Sequence, residues 1–506
     1  VARNNKVAKV NQKVVDAINN AQGVKHVKVE ESLAFIRDNK DLVMKLEGWV
    51  DIDTFEGSFD AKDSQIAKNR QIEKSIDELL VLEGDQFYFE WFYSKNGRYL
   101  MDSNTINPQS DTLHRFVVVP EEWTQTITAK EMKSFYYAVA QAIGVAVDKE
   151  STSTVQSKGE EFTKVPWKES LEAISKDDFK TDHVGHYLMA VYAVKAMQES
   201  KGGEFVATLS AEFDALTSGF GIKLMQYPIL NDIQKWLQKV GVFIGKPIEG
   251  SMNDELASGR FFDSYQELAS KVRVTLPKEL EKNVLAQKLM EVLPKYVEGE
   301  KISKELRSLF KDPFMTFNYA AGFKSIKLSL SYNITGKIFD GIAKGDKQYD
   351  SIKSILEPML KDGGNIVDVI KAQSVDMIKV KGKGTLGEAL RNLVIDTYGA
   401  QVQSVLESQF GQFVEINELT NNAFKLMYTN FSTEYKKEIS NLGEVITEAD
   451  RLGIVHKLID KFPIIAGPLS GMFEEGVAIF GKTKVTGDNS VAPVKTKLRG
   501  GNSTVS

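Results

Sequence analysis

Apolar positions along this chain recur mostly at helical spacing. Ile72, Ile76, Leu79 and Leu80 follow the i, i+4, i+7, i+8 pattern of an amphipathic helix. The stretches 131–147, 184–198, 279–293 and 385–415 are patterned likewise, and Pro294 closes the third of these. Period-two alternation is confined to shorter pieces: QFYFEWFY from Gln86, RFVVVP at 115–120, and EFVATLSAEFD at 204–214. In the last, Phe205, Ala207, Leu209, Ala211 and Phe213 make one apolar face, while Glu212 and Asp214 share the other face at the strand's end. The pattern predicts a mostly helical α+β protein whose small sheet carries carboxylates at its edge.

Composition narrows the classes. A chain of 506 residues, 42% hydrophobic and 26% charged, can bury a sizeable core and predicts about three domains. With no cysteine, disulfides, Cys-ligated zinc and thiol nucleophiles are excluded, and five histidines leave little for a His-rich metal site. The longest apolar stretch, YYAVAQAIGVAV from Tyr136 to Val147, is about half the roughly 20 residues a membrane span needs, so it reads as a buried helix. A net charge of -5 argues against indiscriminate nucleic-acid binding, so any such site must be local. The chain starts on Val without an initiator Met and ends at NSTVS, as either a piece cut from a longer polypeptide or an imposed boundary would. From Lys482 onward a Gly/Ser/Thr/Val-rich tail carries Lys482, Lys484, Lys495, Lys497 and Arg499 against Asp488 alone; it reads as half of a basic hairpin or as a solvated linker.

Candidate chemistry gathers in RSLFKDPFMTFNYAAG at 307–322, where Lys311 follows Arg307 by four residues and Tyr319 follows Lys311 by eight. On one continuous helix the two cations stand about 40° apart and the phenol about 80° further round. Pro313 lacks an N–H and disfavours helix at Asp312, which predicts a kink or a restart between cations and phenol. A guanidinium fork and an ammonium suit a triphosphate, and a nearby Tyr can flank a base; a solvated helix face with a core tyrosine gives the same spacing. Upstream, Asp214 at the predicted strand end runs into DALTSG, a carboxylate before a tight turn at Gly219, which is a way to hold a hard oxygen ligand for Mg²⁺. A lone Asp there is more often a turn or cap residue.

Taken together these motifs resemble the single-subunit phage and mitochondrial type RNA polymerases: 214–219 resembles motif A, and Arg307, Lys311 and Tyr319 resemble motif B. SKNGRYLMDSNTINPQS (94–110) is similar to the Gly-Arg segment upstream of motif A, with Gly97, Arg98 and the following Asn107-Pro108-Gln109-Ser110. The likeness is closest to the branch packaged in virions and injected with the phage genome, and continues through VFIGKPIEGSMNDE (242–255) and GEALRNLVIDTYGAQVQSVLESQF (387–410). The resemblance implies a right-hand architecture: a thumb-like helical region at 1–85, a palm at 86–300 with the Gly-Arg segment and motif A, fingers at 301–470 with motif B, and the basic tail or truncated hairpin at 471–506. It implies that Asp214 binds the catalytic Mg²⁺, with Glu212 assisting or standing as an ordinary strand carboxylate. Arg307 and Lys311 would hold the triphosphate, Tyr319 would sit beside the sugar and template base, and Gly97 and Arg98 would touch the template or hybrid. Related DNA polymerases usually carry Glu five residues after the metal Asp, where it crowds the 2′-hydroxyl; Gly219 there implies ribonucleotides.

Three departures qualify the likeness. Ala320 follows Tyr319 where the family usually has Gly, and Ser94 replaces the Asp expected four residues before Arg98. Motif C, a second metal Asp in a turn between apolar strands, is not found; Asp396 and Asp460 lie in helix-like stretches. Two-metal phosphoryl transfer needs more than one carboxylate. The expectation is therefore part of a DNA-directed RNA polymerase, inactive alone, whose partners are DNA template, RNA product, nucleoside triphosphates and a second polypeptide carrying motif C, with or without the promoter-reading domain. Its place would be the phage virion or the host bacterial cytoplasm. The alternative is an inactive polymerase-fold structural or ejected virion protein that binds DNA or a partner.

Overall fold

The computed structural model describes residues 12–93, 99–147, 150, 152–210, 212, 264–272, 276–294, 296, 302–318, 322–442, 447–459, 484–485 and 491–492. Two apolar cores organise them, one built from residues 33–191 and the other from residues 268–410.

The first core surrounds the Val184–Glu199 helix. Its pattern predicts one apolar stripe, but burial runs all the way round: from Val184 to Val191 every residue is buried, because helices and strands pack on all its sides. Around it lie the helices Glu30–Asp38, Phe59–Leu80, Thr112–Val117 and Trp167–Ala173. The Met132–Ala142 and Thr152–Thr163 helices meet closely at Gly159, where a Cβ would stand 1.8 Å from the Tyr136 carbonyl oxygen. Short strands complete the region. His26–Lys28 pairs antiparallel with both Gln86–Phe87 and Val118–Pro120, Trp91–Tyr93 with Tyr99–Met101, and Thr124–Ile127 with Phe205–Thr208.

Several expected strands are shorter than their pattern predicts. The run from Gln86 to Tyr93 splits between two sheets. The strand expected at 115–120 begins only at Val118: the Asp111 side chain accepts from the His114 N–H at 3.0 Å and caps a helical turn over Thr112–Val117. The strand from Phe205 stops at Thr208; Phe205 and Ala207 face inward and Val206 is 58% exposed, so the alternation holds for that length only.

The second core is helical throughout. The Phe323–Lys344 helix runs through it against Lys304–Asn318, Ile366–Ala372 and Leu386–Val394, while Ser264–Ala269 packs on Lys304–Asn318 and Val284–Val292 on Asp350–Leu356. A π-turn at Ile395–Gly399 leads into Ala400–Ser440, bent at Phe410 where the backbone leaves helical geometry. The restart expected at Pro313 does not occur. Lys304–Asn318 is one helix with the proline inside it, because Leu306, Leu309, Phe310, Phe314 and Phe317 on one face are all buried and outweigh a proline's local cost of about 3 kcal/mol.

The cores meet at the start of the Phe59–Leu80 helix. The Ser58 N–H donates to Asp340 Oδ1 at 3.2 Å, and the Val375 N–H donates to Asp60 Oδ2 at 3.2 Å. At the other end of the chain, Lys484–Val485 pairs antiparallel with Val491–Ala492. No helix among the described residues is long and apolar enough to cross a membrane.

Candidate functional site

The approach to Asp214 is fixed by three successive tethers. Thr208 ends its strand opposite Thr124, with the two hydroxyl oxygens 2.8 Å apart. The Leu209 N–H then donates to the Trp123 carbonyl at 3.2 Å, and the Ser210 carbonyl lies 3.3 Å from His186 Nε2. Beyond the ladder, Gln141 takes the role of a neighbouring strand: its Oε1 accepts from the Glu212 N–H at 2.6 Å and its Nε2 donates to the Glu212 carbonyl at 2.5 Å. Glu212 therefore sits past the strand rather than on its face. Asp214, two residues on, and Gly219 lie outside the described residues.

Arg115 joins this strand end to the Gly-Arg segment. Its Nη1 meets Glu212 Oε1 at 3.0 Å, its Nη2 donates to the Gln109 carbonyl at 3.0 Å, and its Nε donates to the Pro108 carbonyl at 3.1 Å. Gln109 in turn braces the strand that follows Arg98: its Oε1 accepts from the Met101 N–H at 2.8 Å and its Nε2 donates to the Tyr99 carbonyl at 3.1 Å. Gly97 and Arg98 themselves lie outside the described residues, between the paired strands Trp91–Tyr93 and Tyr99–Met101. The geometry thus ties the stretch leading into Asp214 to the stretch leaving Arg98 through one guanidinium. A planar fork with donors on three nitrogens can do this and an ammonium cannot.

His186 supports the same strand end from below. It is buried, stacks on Phe116 with ring centroids 4.2 Å apart, and has its pKa lowered to about 4 by that burial, against the opposing pull of the Ser210 carbonyl and Glu212. It is a neutral prop at physiological pH.

The two cations occur as the pattern predicts, one turn apart on the Lys304–Asn318 helix and off its buried stripe. Arg307 is half-buried with its guanidinium 5.2 Å from the Tyr265 ring centroid, a cation–π contact that fixes its direction. Lys311 is exposed and pairs with no carboxylate among the described residues. Tyr319, immediately past the helix end, lies outside the described residues.

Of the expected site residues, the structure describes Glu212, Arg307 and Lys311 and brings only the two cations together on one element. Among the described residues no three His, Asp or Glu side chains gather as a metal cluster, and the described donor, Glu212, is held by Arg115. Those residues by themselves do not fit a divalent ion. Arg115, Gln109 and Gln141 escape the sequence reading, although the Asn-Pro-Gln-Ser stretch points to Gln109.

Two protein-family models match the chain. One, described as virion DNA-directed RNA polymerase domain, covers residues 13–118; the other, described as bacteriophage N4 RNA polymerase, helical domain, covers residues 263–439. The first takes in the strands around the Gly-Arg segment and Arg115, and the second takes in both cations and most of the helical core. No curated protein matches the chain.

Proposed function

From the premise that this chain belongs to the phage-type virion RNA polymerases, we propose that it carries the nucleotide-binding half of a DNA-templated ribonucleotidyl transferase. The observation that carries this reading is the pair Arg307 and Lys311. They stand on one flank of a helix whose other side is packed into the core, one cation braced by an aromatic ring and the other open to solvent.

In this reading the triphosphate of the incoming nucleotide lies along that flank, with Arg307 gripping its oxygens bidentately and Lys311 offsetting the charge that develops on the leaving pyrophosphate. The RNA 3′-hydroxyl attacks the α-phosphorus in line. Tyr319 sits beside the sugar and template base, Gly219 leaves room for the 2′-hydroxyl, and Gly97 and Arg98 contact the template. Asp214 is the residue that would hold Mg²⁺, whose chemistry is charge neutralisation at the phosphoryl oxygens. A second acidic turn would come from a further polypeptide, as a separate product or another part of a processed virion protein. Thumb, palm and fingers would divide the chain near residues 85 and 300.

The test is Mg²⁺-dependent ribonucleotide incorporation on a DNA template, using the chain co-purified with the polypeptide that supplies the second acidic turn. Lys311→Ala should slow incorporation ten-fold or more, since a charge-assisted phosphate contact contributes about 1.5–3 kcal/mol. Asp214→Ala should abolish it. An unchanged rate in the first variant would make Lys311 a surface lysine, and incorporation surviving the second would reject the metal assignment.

A further inference from the structure

A second surface on the helical region has the chemistry of a strand-binding site. It starts at Tyr332 on the Phe323–Lys344 helix, a tyrosine that is 50% exposed. One face of its ring is covered by the guanidinium of Arg391, 4.4 Å from the centroid. Arg391 is itself buried and fixed by Asp376, whose Oδ1 lies 2.5 Å from its Nη2. An aromatic ring on a core helix, backed by a cation on one side and open on the other, is a rigid platform.

From Asp376 the chain runs directly into a basic loop. Met377 is 69% exposed, Ile378 and Val380 turn into the core, and Lys379, Lys381 and Lys383 all face solvent. The alternation about Val380 puts Lys379 and Lys381 on the same outer side. The loop is held at its base. The Lys381 N–H donates to the Met359 carbonyl at 2.8 Å, the Lys361 N–H donates to the Lys379 carbonyl at 3.0 Å, and Thr385 caps the next helix in a reciprocal box with Glu388. Gly382 and Gly384 have φ of 103° and 95°, a backbone that only glycine adopts readily, so the turn is built into the sequence.

None of the three lysines pairs with a carboxylate among the described residues. Of the acids beside them, Asp376 is engaged by Arg391 and Glu388 by the Thr385 N–H at 2.9 Å, and the exposed Asp362 adjoins a further lysine, Lys361, on the paired segment. Lys379 is three residues from Asp376 and therefore within about 11 Å of it along the chain. The aromatic platform and the first lysine thus stand within a few nucleotides' reach of each other.

We propose that this surface binds single-stranded nucleic acid, with a base stacked on the open face of Tyr332 and the phosphates running over Lys379, Lys381 and Lys383. A duplex would satisfy the lysines but keeps its bases stacked on one another; an exposed ring backed by a cation selects an unpaired base. The proposal deepens the polymerase reading and rests on it only for the strand's identity as template or product.

The experiment is fluorescence anisotropy of a labelled oligothymidylate titrated with the full chain at several salt concentrations. Tyr332→Ala should weaken binding about ten-fold without changing the salt dependence. Replacing Lys379, Lys381 and Lys383 together by Gln should flatten the slope of log affinity against log salt by about 2. A fully paired duplex of the same length should respond to the lysine changes and not to Tyr332→Ala. Tyr332→Leu, which keeps apolar bulk against Arg391, should lose affinity as the alanine variant does while melting like the parent. Unchanged affinity in both sets, or an equal Tyr332 effect on duplex, would overturn the proposal. Asp214→Ala should bind the oligonucleotide normally while failing in incorporation, so the two readings can fail separately.

Discussion

In the region around the Val184–Glu199 helix, buried polar groups reach across the sequence to the backbone of other segments. His114 Nε2 lies 3.0 Å from the Ser75 carbonyl, the Tyr187 hydroxyl donates to the Ser170 carbonyl at 3.0 Å, and His186 Nε2 lies 3.3 Å from the Ser210 carbonyl. In the helical region after Ser264 the Tyr398 hydroxyl also reaches out, donating to the Pro294 carbonyl at 3.1 Å, but the buried serine and threonine hydroxyls stay at home. Thr335 donates to the Ser331 carbonyl at 2.8 Å, Ser331 to Leu328 at 2.7 Å, and Thr397 to Leu393 at 2.7 Å. The first region leans more on polar pairings between distant segments and the second more on apolar packing of helices whose serine and threonine hydroxyls bond within their own turn. The difference follows what each must hold. One holds the described residues that flank Arg98 and Asp214, and the other presents Arg307 and Lys311 one turn apart on a helix.

The largest expected effect tests the apolar side of this contrast. Phe310 is 2% exposed, with its ring 6.3 Å from that of Tyr398. Phe310→Ala should cost about 3–5 kcal/mol in denaturant unfolding, and by the same amount at pH 7 and pH 5, because the side chain and the cavity it leaves are uncharged. A loss below about 1 kcal/mol would mean that the Lys304–Asn318 helix is not seated in the core.

The polar side should instead show its hand through pH. His186 has its pKa lowered from 6.5 to about 4 by burial among Phe116, His183, Glu212 and the Ser210 carbonyl. Its folded-state pKa lies below its unfolded one, so the unfolded chain binds the proton first. Its neutral form stabilises the fold fully above pH 6.5, and that stability drains away as pH falls towards 4. At about 1.4 kcal/mol per pH unit the loss reaches roughly 3 kcal/mol. Unfolding free energies of the parent and His186→Phe, measured from pH 7 to pH 4.5, should diverge over that window. Parallel curves would show that His186 is not buried neutral.

The same contrast decides what the sequence discloses. The helices over 72–80 and 385–410 are legible because apolar period is a local signal and their burial agrees with it, whereas that over 184–198 is legible as a helix but not in its all-round burial, which neighbouring segments decide. The pair Arg307 and Lys311 is legible for the same reason, since four residues is one helical turn. The Thr112–Val117 turn is not, because the β-branched run after Phe116 reads as strand while the Asp111 cap decides the local structure. Pro313 misleads in the opposite direction: its rule is local, and five buried apolar neighbours override it. Least legible is the clamp on Glu212, whose partners Gln141 and Arg115 lie 71 and 97 positions away, and no spacing rule connects them. Glu212, which the alternation puts on a strand face beside Asp214, is in the structure one end of that clamp.

Arg115 is where the two organising principles can be set against each other most finely. Its ion pair with Glu212 is partly exposed, 31% and 42% for the two side chains, so the charge attraction itself contributes little. The two bonds to the Pro108 and Gln109 carbonyls are what a substitution would chiefly remove, at about 0.5–1.5 kcal/mol each. Arg115→Ala should therefore cost about 1–2 kcal/mol globally, less than either change above. Its signature is local: with Gln109 no longer anchored, the Met101 N–H that donates to it should exchange with solvent faster, while the Glu212 N–H, held independently by Gln141, should stay protected. Arg115→Lys should behave like the alanine variant, because an ammonium restores the charge without the fork. If Lys instead restores Met101 protection, the clamp is electrostatic rather than geometric, and the segment after Arg98 is held by charge in the way that a phosphate would be.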